Sequence, residues 1–172
     1  MSTLLTRLFA RRWRPFHTNE RELAQSTKVE IFADPGVYLL AYTHKPMVGR
    51  PVRPADVFYV GMSNSAGGLR QRFRQFQSSL EGGNGHGPAY RFFVKCAKRR
   101  KYSQLRTKNR FFFAALAVPC ESNKTKAKPH DFLVMGNVAS LEYEAIARVL
   151  RSTGRLPRLN DLAKGALDAV SV

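Results

Sequence analysis

An α+β domain, with a small three-stranded sheet flanked by helices in the order β-β-α-α-β-α, is what this 172-residue chain predicts. Three observations lead there. Two β-prone runs, Gly36 to Tyr42 and Val57 to Gly61, flank a proline-rich connection. The segment LRQRFRQFQSSL repeats its apolar residues with helical period. FFFAALAV, at 111–118, is a continuous apolar run of strand length bounded by Pro119.

Taken in order, the N-terminus MSTLLTRLFARRWRPF is arginine-rich and free of acids until Glu20, and reads as a short helix or basic arm that Pro15 stops. Thr18 is a candidate N-cap for a short helix through TNEREL to Ser26, with Glu20 and Glu22 in its first turn. Pro35-Gly36 turns the chain into the first strand. HKPMVGRPVRPAD, with three prolines and a glycine, is a loop leading to the second strand, so the two form a hairpin with a long connection. Leu69, Phe73, Phe76 and Leu80 then fall at i, i+4, i+7 and i+11, an amphipathic helix. EGGNGHG breaks it. PAYRFFVKCAKRRKY opens a second helix with proline in its first turn and runs into the basic stretch KRRKYSQLRTKNR. After the 111–118 strand, the segment Cys120 to Asn137 has no assignment, and Val138 to Ser152 is a helix stopped near Gly154. The domain division is therefore an arm at 1–28, the folded domain at 29–165 and a tail at 166–172.

Lys and Arg number 29 against 12 acids, a formal charge of +17. Such a chain repels itself unless a polyanion answers it, so nucleic acid is the expected partner. The cations recur from Arg7 to Lys164 instead of lining one long amphipathic helix, which argues against a membrane surface. A hydrophobic content of 44% with 12 Phe excludes a disordered chain. Cys96 and Cys120 lack close zinc-ligand neighbours and cannot make a disulfide framework; a reducing cytoplasm, nucleoid or nucleus is expected, with no disulfide-linked partner. No stretch approaches the roughly 20 apolar residues that span a bilayer.

Gly36-Val37-Tyr38 and Tyr59-Val60-Gly61, followed by an arginine-bearing helix and a late glutamate, resemble the signature of the GIY-YIG nucleases over roughly residues 34 to 160. The resemblance implies an endonuclease that hydrolyses phosphodiester bonds of DNA with one Mg²⁺ or Mn²⁺. Tyr38 and Tyr59 would activate and orient water or phosphate, and Arg72 matches the family's catalytic arginine counted from the YVG motif. The helical wheel agrees: Arg72 lies at the edge of the apolar stripe, whereas Arg70 and Arg74 point away, toward solvent and backbone phosphates. In the last helix Glu142 falls within the stripe of Leu141, Ala145, Ile146 and Val149, where a carboxylate is costly unless a cation compensates it. Glu144 lies opposite, beside Arg148 at i+4, an ordinary surface pair. The family places its Mg²⁺-binding glutamate in such a helix, so the resemblance implies Glu142 as the metal ligand, with Glu144 the alternative. Asn160, in RLPRLN, resembles the asparagine that closes the family's domain.

Several departures from the family pattern matter, among them a longer spacing between Tyr38 and Tyr59 and another between Glu142 and Asn160. Phe76 stands four positions after Arg72, where many members carry His or Tyr, and His86 in GGNGHG is the candidate to supply that group from the following loop. Met62 stands where repair-type members carry lysine. Both keep a second expectation open, a catalytically inactive nucleic-acid-binding module of the same fold. Charge alone would also suit an RNA-binding protein of ribonucleoprotein type. In each case Arg70, Arg74, Lys98, Arg99, Arg100, Lys101, Arg106, Lys108, Arg110 and the N-terminal arginines would supply salt-dependent affinity for the phosphate backbone.

Overall fold

The computed structural model describes residues 2–16, 30–83, 85–105 and 110–161. The expected helix at 18–26, the tail at 166–172, Arg106 and Lys108 lie outside the described residues. The elements are α1 (Thr3–Phe9), β1 (Arg14–Pro15), β2 (Gly36–Thr43), β3 (Tyr59–Ser63), α2 (Gly68–Leu80), α3 (Gly87–Arg91), α4 (Tyr102–Leu105), β4 (Arg110–Ala117), α5 (Pro129–Thr153) and α6 (Arg158–Asp161). The fold is α+β around an antiparallel sheet of order β1-β4-β2-β3.

The sheet has four strands, one more than expected. The extra strand comes from the N-terminal arm, where Arg14 sits opposite Phe113 and Pro15 opposite Phe112. Proline is tolerated there because the strand is at the sheet's edge. The arm belongs to the core: Leu5, Leu8, Phe9 and Trp13 are buried, and the Trp13 N–H donates to the Arg50 carbonyl while the Gly49 N–H donates to that of Trp13. These bonds tie the long 44–58 connection to the arm.

Strand alternation gives the sheet two unlike faces. Val37, Leu39, Ala41, Val60 and Leu116 point toward α1 and α5, meeting Leu8, Val138, Leu141, Ala145 and Val149. Tyr38, Leu40, Tyr59, Phe111 and Phe113 point toward α2 and α3, meeting Leu69, Phe73, Phe76, Leu80 and Phe92.

Three boundaries differ from expectation. β3 begins at Tyr59, not Val57, because Pro54–Asp56 closes a 3₁₀ turn first. The second helix ends at Arg91 and passes into a π turn, Phe92–Cys96, after which Lys98 and Arg99 adopt φ of 48° and 61° and cannot continue it. The last helix starts at Pro129, taking in much of the unassigned segment: proline fits the first turn, and the Asp131 carboxylate accepts the Lys128 N–H at 2.8 Å and the Glu121 N–H at 3.1 Å. Among the described residues no helix is long and apolar enough to cross a membrane.

Candidate active site on the tyrosine face

The register of the β2–β3 pair decides the first question about the tyrosines. Tyr38 is opposite Gly61 and Leu40 is opposite Tyr59, so Tyr38 and Tyr59 are diagonal neighbours on one face. Their rings meet edge to face, with centroids 5.8 Å apart. Gly61 makes this contact possible, because a Cβ there would lie 2.6 Å from the Tyr59 ring and 2.7 Å from both the ring and the hydroxyl of Tyr38. At the other motif, a Cβ on Gly36 would stand 2.4 Å from the Leu116 carbonyl oxygen of β4. The glycines of both tripeptides are therefore steric requirements of the sheet that carries the tyrosines.

Helix α2 follows β3 directly and buries Leu69, Phe73, Phe76 and Leu80 against this face. Arg72, beside Phe73, is half-buried, whereas Arg74 is exposed and Arg70 half-buried. The Arg72 Nη1 donates to Gln75 Oε1 at 3.4 Å, and its Nε is buried without a hydrogen-bond partner. Its charge reaches four groups: Tyr38, Tyr59, His86 and Glu142.

Both phenols are held protonated. Burial, then the neighbouring Tyr59, pushes the Tyr38 hydroxyl well above the ordinary tyrosine range, with Arg72 opposing. Burial, then the negative charge of Glu142, pushes Tyr59 up to about 12. The half-buried Glu142 is itself raised by burial and lowered by Arg72. This mutual influence draws Glu142 into the group formed by Tyr59 and Arg72. Glu144 is not in it. Its carboxylate accepts the Ser2 hydroxyl at 2.6 Å, and Arg148, expected to pair with it, lies instead 4.3 Å over the Phe9 ring. Packing of α1 on α5 supplies both substitutes.

His86 is 1% exposed and the N-cap of α3. Its main-chain N–H donates to Ser79 Oγ at 2.9 Å, its Nδ1 accepts the Ala89 N–H at 3.2 Å, and its Nε2 lies 2.9 Å from the Tyr38 hydroxyl. Because Nδ1 is an acceptor, the bonding network assigns the ring proton to Nε2, which donates to the Tyr38 oxygen. Burial, then the Arg72 charge, pushes the imidazole pKa down to about 3. The ring stands edge-on to Phe76, at 4.9 Å between centroids, and Phe76 is stacked against Tyr59. The next loop thus sets an imidazole beside Phe76. Met62 faces the other way, packed against the aliphatic core.

Asn160 is next to the site and not in it. Its Oδ1 accepts the Val60 N–H at 2.8 Å and its Nδ2 donates to the Val60 carbonyl at 2.9 Å, closing the open edge of β3 between Tyr59 and Gly61. One arginine escaped the sequence reading. Arg91, at the end of α3, has a buried Nε with no hydrogen-bond partner, and its charge lowers both Tyr59 and His86. Its place within one short helix of His86 was the available signal, obscured by the denser basic run that follows. In that run Lys98, Arg99, Arg100 and Lys101 are exposed, between Ala97 and Tyr102, which are buried in the tyrosine-face core; Arg110 is exposed at the start of β4.

Among the described residues, no group of three or more His, Cys, Asp or Glu side chains is arranged to hold a metal. Glu142 is a single, partly desolvated carboxylate, a donor set compatible with Mg²⁺, which keeps several waters and binds through one or two carboxylates plus substrate phosphate. A separate cleft of about 460 Å³ lies past Tyr42, with Lys45, Arg155 and Arg158 on its walls; Tyr38, Tyr59, Arg72 and Glu142 do not line it. Comparison with protein-family models, curated proteins and solved structures returned no match.

Proposed function

We propose that the protein is a Mg²⁺- or Mn²⁺-dependent endonuclease of GIY-YIG type that hydrolyses phosphodiester bonds of DNA. The observation that carries this reading is that Tyr38 and Tyr59 meet on one face of the β2–β3 pair, under the helix that carries Arg72, with Glu142 of α5 near enough for its charge to act on Tyr59. Glu142 would hold the metal, which when bound polarises a phosphate oxygen and takes up leaving-group charge.

The remaining chemistry belongs to the side chains. Two protonated phenols act first as donors, orienting the attacking water and a non-bridging phosphate oxygen. Tyr59 would be the phenol nearer the substrate, at 4% exposure against 0% for Tyr38, whose oxygen accepts from His86 Nε2 and lies in the Arg72 field. As water attacks, its proton would pass to the Tyr59 oxygen while the phenol proton moves to a phosphate oxygen, leaving the net protonation unchanged. Arg72 contributes a guanidinium whose buried Nε is unpaired, suited to the charge that grows on the phosphate. Exposed cations from Lys98 to Lys101 supply backbone affinity on the same side of the sheet.

The decisive experiment is cleavage of plasmid and branched DNA with and without Mg²⁺, for wild type and Glu142→Ala. Cutting should require metal and fall by about 10²-fold or more in the variant, a typical cost of removing one transition-state contact, while DNA binding persists. The inactive-module reading draws support from Phe76, whose ring closes the place of a second polar group. Tight DNA binding by wild type with no cleavage under any divalent ion would establish it.

A further inference from the structure

Helix α5 presents a second pattern on the side away from the core. Its inward residues are Val138, Leu141, Ala145 and Val149. Outward, Leu133, Gly136, Ser140, Tyr143, Ala147 and Leu150 follow one another at spacings of 3, 4, 3, 4 and 3, the a/d rhythm of a helix-pairing seam, and all six are exposed. Leu133 is 71% exposed, Tyr143 72% and Leu150 42%, with Phe132 beside them at 49%.

The occupant is indicated by sequence order and by charge. Read in reverse, the seam matches itself in size. An antiparallel partner related by a two-fold axis between residues 141 and 142 sets Leu133 against Leu150, Gly136 against Ala147, and Tyr143 against Ser140. Large residues meet at the ends and each tyrosine has a small residue to lie over, so the axes can approach closely. From Pro129 to Ala147 there is no Lys or Arg, in a chain that carries 29 of them. A second copy with the same +17 charge is repelled least along this helix, whereas a polyanion gains least there.

We infer that the outer face of α5 is a homodimer seam, pairing two copies of this chain antiparallel through Leu133, Tyr143 and Leu150. From the fractional exposures, Leu133, Tyr143 and Leu150 offer on the order of 400 Å² per copy, in the range of small, reversible interfaces. The dimer is accordingly expected to form reversibly and to depend on concentration. This assignment is independent of whether the tyrosine face cuts DNA.

Sedimentation of the full, nucleic-acid-free chain from about 1 to 200 µM tests it by mass action. The mass should rise toward twice that of the chain, and association should tighten by about threefold or more between 0.1 and 0.5 M salt as like-charge repulsion is screened. Leu133→Glu and Tyr143→Glu, both at exposed positions, should each weaken association about tenfold or more while melting as wild type does. A photo-crosslinking side chain at position 143 should join residues 133–150 of a second copy. Three results would overturn the seam: a monomer at the highest concentration and salt, crosslinks confined to residues 17–29 or 162–172 of the same chain, or association that weakens with salt, which marks bridging by contaminating nucleic acid.

Discussion

The two faces of the sheet are built from the same four strands and do different work. Against α1 and α5 the contacts are mostly aliphatic, from Val37, Leu39, Val60, Leu116, Val138 and Val149, a filling that contributes stability, while Glu142 at the margin of α5 is the carboxylate whose charge acts on Tyr59. Against α2 and α3 the filling is aromatic, and into it are set a buried imidazole, two phenols with raised pKa and two guanidinium groups with unpaired Nε atoms. Burying such groups is unfavourable unless they find partners. The tyrosine face carries that cost and the aliphatic face offsets it, which separates residues needed for folding from residues needed for function.

Leu8→Ala is the largest test of this separation. Leu8 is fully buried on the aliphatic face, in a helix that contributes no residue to the tyrosine cluster. Deleting its side chain should cost about 2–5 kcal/mol by denaturant unfolding. DNA binding and any cleavage should be unchanged at temperatures where the variant remains folded. Loss of function in fully folded Leu8→Ala would show the two faces to be coupled and not divided.

Gly61→Ala is the sharper test, since the added methyl lands between the two rings. A Cβ 2.6–2.7 Å from both tyrosines forces them apart, and overpacking of this kind costs about 1–3 kcal/mol. Cleavage should fall far more than stability explains, because the shift displaces both phenols at once. The expected result is a folded protein that binds DNA and no longer cuts it. Retained cutting would mean that the ring-to-ring geometry of Tyr38 and Tyr59 is not used.

How much of this was legible beforehand depended on whether a side chain's surroundings lay within its own element. The wheel separated Arg72 from Arg74 and Glu142 from Glu144, because helical phase is a local property. It gave the wrong reason for Glu144, whose partner is Ser2, the N-cap of α1, 142 positions away in sequence. β1 was not legible, since a two-residue strand of Arg14 and Pro15 has no alternation to read and pairs only because β4 offers an edge. The start of α5 was legible in Pro129 and Asp131, and was hidden by the lysines around them. His86 was the least legible. In a glycine-rich loop it looks solvent-exposed, and only the folded chain brings Ser79, Ala89 and Tyr38 to three different atoms of one residue.

That lock on His86 yields an effect absent at neutral pH that grows as the pH falls. A histidine held near pKa 3 in the fold and near 6.5 when unfolded is neutral in the native state over the window between them, while the unfolded chain takes up a proton. The unfolded state then binds more protons, so stability rises with pH through this window. Acidification from about 6.5 toward 3 should remove stability at up to ~1.4 kcal/mol per pH unit from this group. Other carboxylates titrate in the same range, so the informative quantity is the difference between wild type and His86→Asn. Asparagine can still cap α3 through its side-chain oxygen but does not titrate. Melting temperatures measured across that range should therefore converge as the pH falls, the wild type losing its advantage over the variant. Parallel curves would mean that the folded protein accommodates a charged imidazole beside Tyr38, and the assignment of the Nε2 proton to a bond with the phenol oxygen would have to be abandoned.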